Sequence, residues 1–142
     1  LLTSHRARSE NFAAVQGMLK GPEIDRPAGV EFRGNDGAVR REIRARWWDR
    51  APKTYREAAI MPDEHMPFIP NHPLPEGLPL GTNANSDVPV FIGHYWLTGT
   101  PKPLAPSVIC VDYSAGNGGP LCAYRWDGEP SGTADNMIVV DH

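Results

Sequence analysis

The hydrophobic period changes along this chain, and each change marks a predicted element. From Ser9 to Lys20, Phe12, Val15 or Gln16, and Leu19 recur at helical spacing, with Ser9 as N-cap and Gly21-Pro22 as the stop, so one amphipathic helix is predicted. Apolar residues then alternate with charged ones. Val30-Glu31-Phe32 and Val39 to Trp48 flank Gly34-Asn35-Asp36-Gly37, a turn able to supply the positive backbone angles of a hairpin. Within 39–48, Val39, Ile43, Ala45 and Trp47 share one face, and Arg40, Glu42, Arg44 and Arg46 share the other. Thr54 to Met61 predicts a short helix ending at Pro62. Residues 62–87 carry prolines at 62, 67, 70, 73, 75 and 79 and no period, which predicts a loop wrapped over the surface. Four strands follow near 88–93, 107–112, 120–126 and 136–140, separated by Gly, Pro, Asn and Asp clusters. An antiparallel sheet is expected, with parallel pairing of the first two as the alternative.

Composition bounds the class. At 142 residues the chain fits a single domain or a part of one. Pro 15 and Gly 14 make roughly a fifth of it, which predicts long irregular connections. A formal net charge of -3 argues against nucleic-acid binding as the main task. No apolar run is long enough for a membrane span and no signal-peptide pattern opens the chain, so a cytoplasmic location is expected. The sequence starts at Leu1 and not at methionine, which suggests a fragment or a processed product. Cys110 and Cys122 fall on expected neighbouring strands; both are expected as packed thiols, with a bridge as the alternative.

Candidate chemistry gathers in the C-terminal third. Val90-Phe91-Ile92-Gly93-His94-Tyr95-Trp96 delivers a histidine at the end of an apolar strand, with a glycine before it that leaves room for an ion or substrate. Asp112-Tyr113-Ser114 opens a loop after the next strand. One imidazole falls short of the three or more protein ligands a catalytic metal takes. Asp112 suits either a partner that orients a metal-bound histidine or a loop cap. Arg44 and Arg46 present guanidinium forks that suit phosphate, against a solvated strand face as the plain reading. Gly116-Asn117-Gly118-Gly119 lacks the Lys-Ser or Lys-Thr of a phosphate-binding loop and is expected to be a hairpin turn. Trp47 and Trp96 are expected in the core, and His5, His65, His72 and His142 receive no metal role.

Val-Phe-Ile-Gly-His-Tyr-Trp, Val-Asp-Tyr-Ser-Ala-Gly-Asn-Gly-Gly and Ala-Tyr-Arg-Trp-Asp-Gly-Glu together resemble the C-terminal part of calcineurin-like metallophosphoesterases. The likeness is to the bacterial branch related to diadenosine tetraphosphatases and phosphoprotein phosphatases. Arg46-Trp47-Trp48-Asp49 and Thr54-Tyr55-Arg56 extend it to residues 20–130 or so.

The resemblance implies an α+β chain, mainly antiparallel sheet with one or two short helices, corresponding to the C-terminal part of a four-layer α/β/β/α fold. It also implies two divalent metals, Mn, Fe, Zn, Ni or Mg, in the intact enzyme, acting on a phosphorylated substrate. His94 matches the metal-binding histidine of the family's Gly-His motif, and Asp112, Tyr113, Ser114 and Asn117 lie in the loop bordering the substrate cleft. Asp-x-His, Gly-Asp-x-x-Asp-Arg-Gly and Gly-Asn-His-Glu, which supply most of the ligands, do not occur in this sequence. The chain is therefore expected to be inactive by itself and to bind no metal alone. The alternative is a stand-alone binding or interaction domain on the same scaffold. A cut two-sheet fold leaves apolar strand surface, so a homodimer through Val88–Ile92 or Val108–Val111 is expected.

Overall fold

The computed structural model of this protein describes residues 15, 17, 20–33, 39–78, 80–81 and 86–140, and the structural statements below concern these residues. Of the expected N-terminal helix, Val15, Gly17 and Lys20 are helical, and the other positions lie outside the described residues. The Gly21 amide closes on the Gly17 carbonyl at 3.0 Å, and Gly21 takes φ +76°, so the helix stops where the Gly-Pro pair predicts. Glycine is required there twice over, because a Cβ would also stand 2.2 Å from the buried Tyr95 hydroxyl.

Nine regular elements follow: β1 (Glu23–Asp25), β2 (Phe32–Arg33), β3 (Val39–Arg40), β4 (Glu42–Arg44), α1 (Tyr55–Ala58), β5 (Val90–Ile92), β6 (Val108–Cys110), β7 (Leu121–Tyr124) and β8 (Met137–Val140). Three 3-10 turns at Asp63–Phe68, Ala115–Asn117 and Ala134–Asn136 join them. The class is α+β. The pairs β1–β4, β2–β3 and β7–β8 are antiparallel, whereas β5–β6 is parallel, the alternative pairing for the first two C-terminal strands; the four strands expected in one sheet form two separate ribbons.

The strand expected over residues 39–48 is broken by a bend at Arg41. The Arg41 carbonyl accepts from the Arg26 amide at 2.9 Å, and the break lets β3 pair with β2 while β4 pairs with β1. The face assignment holds for Ile43, Ala45 and Trp47, all buried, but Val39 is 41% exposed. Trp48 is also buried, because the chain turns at 47–48 and alternation ends there.

The helix α1 is a single turn. Thr54 Oγ1 accepts the Glu57 amide at 3.3 Å and Glu57 Oε2 accepts the Lys53 amide at 2.7 Å, a reciprocal cap at its start. It ends early because Ala59 turns extended and bridges to Ala45. The proline-rich stretch does more than cover the surface. Ile69 is fully buried, and Leu74, Leu78 and Leu80 pack with it on Ile24, Ile43, Tyr55 and Ala58. Prolines hold this irregular run in shape, so its apolar residues reach the core without a period.

A second cluster joins Trp47, Trp48 and Ile60 to Tyr95, Leu97, Val108, Cys110, Tyr113 and Cys122. β6 is buried along its whole length, as a strand covered on both faces must be. Cys110 and Cys122 are not joined by a disulfide, and both are buried. The expected hairpin turn at Gly116–Gly119 is a 3-10 turn leading from β6 to β7, and these strands do not pair with each other.

The expected association surface at Val108–Val111 is closed: Val108, Ile109 and Cys110 are fully buried, while Val88 and Phe91 are exposed. The larger open face belongs to β7–β8. Leu121 stands opposite Val140 and Ala123 opposite Ile138, which places Leu121, Ile138 and Val140 on one outward face, each at least half exposed.

The link between β7 and β8 folds around Glu129. Its carboxylate accepts from the Tyr124 hydroxyl at 2.8 Å, the Asn136 amide at 2.9 Å and the Asp127 N–H at 2.8 Å. Its own backbone N–H, then that of Asp127, then Tyr124 and Asn136, hold its pKa down at about 2.

Two outcomes check this packing. Ile43→Ala should cost about 2–5 kcal/mol in chemical denaturation, and Val39→Ala no more than about 0.5, since only the first leaves a cavity. Glu129 has a folded pKa below its unfolded value, so its contribution is present above pH 4.5 and is lost as pH falls toward about 2. Acid titrations of stability for wild type and Glu129→Gln should converge across that window; parallel curves would remove the assignment.

Candidate functional site

Parallel pairing sets Val90 beside Val108, Phe91 beside Ile109 and Ile92 beside Cys110. The strands then end together, and the residues that follow them, Gly93–Trp96 and Asp112–Ser114, meet at one edge. In open sheets with parallel strands this carboxyl-terminal edge is where loops converge and ligands bind.

Three non-glycine residues at this edge have left-handed backbone: His94 (φ +66°), Trp96 (φ +51°) and Ser114 (φ +64°). They are the only non-glycine residues of that kind among the described residues. Each costs about 1–2 kcal/mol relative to ordinary backbone, so surrounding contacts must hold it.

Those contacts come from three side chains. Asp112 Oδ2 accepts the Trp96 N–H at 3.3 Å and Oδ1 accepts the Ser114 N–H at 3.1 Å, while the Asp112 carbonyl accepts the Leu97 N–H at 3.2 Å. Ser114 Oγ donates back to the Leu97 carbonyl at 3.1 Å. From β4, an Arg44 Nη hydrogen bonds the His94 carbonyl. The same guanidinium lies 4.8 Å from the Tyr95 ring centroid and 3.8 Å from a Glu23 carboxylate oxygen. Its Nε is buried without a partner.

His94 itself is exposed, its ring T-shaped against the Trp96 indole with centroids 6.1 Å apart. The strand delivering it is half open, not buried, since Phe91 is 43% exposed against Tyr124 and Trp126. Trp96, expected in the core, is also on the surface, because its left-handed backbone turns the indole outward beside His94.

The other candidate residues fall as follows. Asp112 spends both carboxylate oxygens on backbone amides. Tyr113 points inward, its hydroxyl taking the Lys102 N–H at 3.1 Å and giving to the Lys102 carbonyl at 3.3 Å, which ties down the return loop. Burial pushes the Tyr113 phenol above its ordinary value. Asn117 is exposed on the 3-10 turn. Arg46 Nε holds the Ala59 carbonyl at 3.0 Å. Arg44 and Arg46 are thus engaged on the protein's own carbonyls, and the structure does not bring Arg46 to His94. Gly119 is needed where the loop turns back, because a Cβ there would meet the Tyr113 carbonyl at 2.0 Å.

Chemically, the edge offers one exposed imidazole beside an indole, on backbone fixed from two directions. Burial pushes the Cys110 thiol up to about 11, so it stays protonated and is no nucleophile at neutral pH. Among the described residues no group of three or more His, Cys, Asp and Glu could hold a metal.

One role escaped the sequence: the Arg44 tie joins elements distant along the chain and leaves no local pattern. Of the two roles open to Asp112, the structure shows the loop cap, and Asp followed two residues later by Ser, whose amide it accepts, is a recurrent side-chain turn. Comparison with protein-family models, with curated proteins and with solved structures found no match to this chain.

Proposed function

We propose that this chain carries the C-terminal part of a dinuclear metal-dependent phosphoesterase of the calcineurin-like kind, with His94 as a ligand to one of the two divalent ions. The observation that supports this reading is the pose of His94: an exposed imidazole directly after a strand of a parallel pair, on left-handed backbone held by Arg44 and Asp112. A ligand must be presented before the ion arrives, and a fixed backbone does that. The remaining ligands come from polypeptide outside this sequence, and the four-layer packing is completed there. When bound, the ions would activate water and clamp the oxygens of a phosphate ester or anhydride. No hydrolytic step belongs to this chain alone. A cytoplasmic setting goes with this reading and with two cysteines kept as thiols.

The test has two parts. The purified chain should turn over no p-nitrophenyl phosphate with manganese supplied; turnover abolished by His94→Ala would mean it holds ligands of its own. In a polypeptide that also carries the missing motifs, His94→Ala should lower kcat by about 100-fold or more with the fold intact, and His72→Ala should not. Near-wild-type turnover of the His94 variant at saturating metal would remove the assignment.

A second reading, a non-catalytic interaction domain, draws on the outward face of β7–β8. Leu121, Ile138 and Val140 form an apolar surface of the kind that finds a partner, most simply a second copy across a two-fold axis. Sedimentation should show concentration-dependent association that Ile138→Lys abolishes. A strictly monomeric wild type at high micromolar concentration would exclude self-association.

A further inference from the structure

We propose that Asp112 is the positioning residue of the strand-end site, fixing the pose of the His94 imidazole by holding the turns of both strands at once. This goes beyond the phosphoesterase reading, because it concerns where the ring is held and stands whatever that ring binds.

The residue acts through three acceptors. Its two carboxylate oxygens take the Trp96 and Ser114 amides, and its carbonyl takes the Leu97 amide. Two consecutive amides of the β5 turn and one of the β6 turn thus converge on a single residue. Two of them belong to Trp96 and Ser114, which are left-handed, and the third left-handed residue, His94, lies two positions before Trp96. Arg44 holds the His94 carbonyl from the other side, so the peptide segment 94–96 is gripped at both ends. Between the grips Tyr95 is buried, its ring against the Arg44 guanidinium.

A carboxylate is the group this arrangement needs. The donors come from separate segments and reach different oxygens, and an ionised aspartate accepts at both with no donor of its own. Asparagine would set an amide N–H2 against one backbone N–H. A hydroxyl would not span both turns.

NMR of the full chain tests this directly. The Trp96 indole and the His94 ring are T-shaped with centroids 6.1 Å apart, so the indole ring current displaces the His94 ring-proton signals, and Trp96→Leu identifies that displacement. In folded Asp112→Asn, the His94 signals should move toward their position in Trp96→Leu, and amide exchange at Trp96 and Ser114 should accelerate roughly tenfold or more. Ser114→Ala, which removes only the bond to the Leu97 carbonyl, should leave the His94 signals in place. An aspartate with a merely stabilising role would lower the melting temperature without moving them. Unchanged His94 signals in folded Asp112→Asn overturn the proposal. If that variant does not fold, the wild type decides: protected Trp96 and Ser114 amides support the proposal, and exchange at the unprotected rate overturns it. Because no metal or substrate enters the measurement, its failure is separate from failure of the phosphoesterase reading.

Discussion

The parallel pairing of β5 with β6 is the constraint from which the rest of the candidate site follows. Antiparallel neighbours would set the end of one strand beside the start of the other, and Gly93–Trp96 would then lie far from Asp112–Ser114. Parallel strands end on the same side, so the two turns meet there. The connection between them is correspondingly long, and it is anchored where Leu97 bonds Asp112 and where Tyr113 bonds Lys102. β6 can be buried on both faces because its side chains are apolar: Val108, Ile109 and Cys110 are all fully buried.

The two hydrophobic clusters are joined rather than merged. The stretch after β4 threads from one to the other, with Ala45 packed beside Ile43 and Trp47 and Trp48 packed beside Leu97, Val108 and Cys110. Arg44, between Ile43 and Ala45, faces the opposite way and reaches the His94 carbonyl. Packing on one side of this strand and a charged hydrogen bond on the other thus fix the first half of the chain against the strand-end turns. Arg44 is engaged by Glu23, Tyr95 and His94 together, which makes it a joint in the fold.

Legibility in the sequence followed locality. Positions of β5 to β8 were readable because short apolar runs bounded by Gly, Pro and Asn leave few alternatives, and the hairpin of β2 and β3 followed from the turn composition between them. The single turn of α1 and the break at Arg41 were not readable, since both depend on which distant segment pairs with which. Ile69 and the leucines after it had no period to betray their burial; proline geometry carries them inward. Trp96 departs from its sequence expectation for a similar reason. Its apolar neighbours suggest burial, but left-handed backbone at a non-glycine residue, which no local pattern announces, sends it outward. His94 was legible as a strand-end residue; the left-handed backbone that sets its pose was not.

The candidate site rests on one geometric fact: β5 and β6 run side by side in the same direction and bring His94 and Asp112 to one edge. Cross-strand proton contacts measured by NMR test it most directly. Parallel pairing predicts α-proton to amide contacts between the Val90–Ile92 and Val108–Cys110 segments, with Val90 beside Val108 and Ile92 beside Cys110. Close α-proton to α-proton contacts pairing Val90 with Cys110 and Ile92 with Val108, the signature of an antiparallel ribbon, would contradict it and dissolve the site.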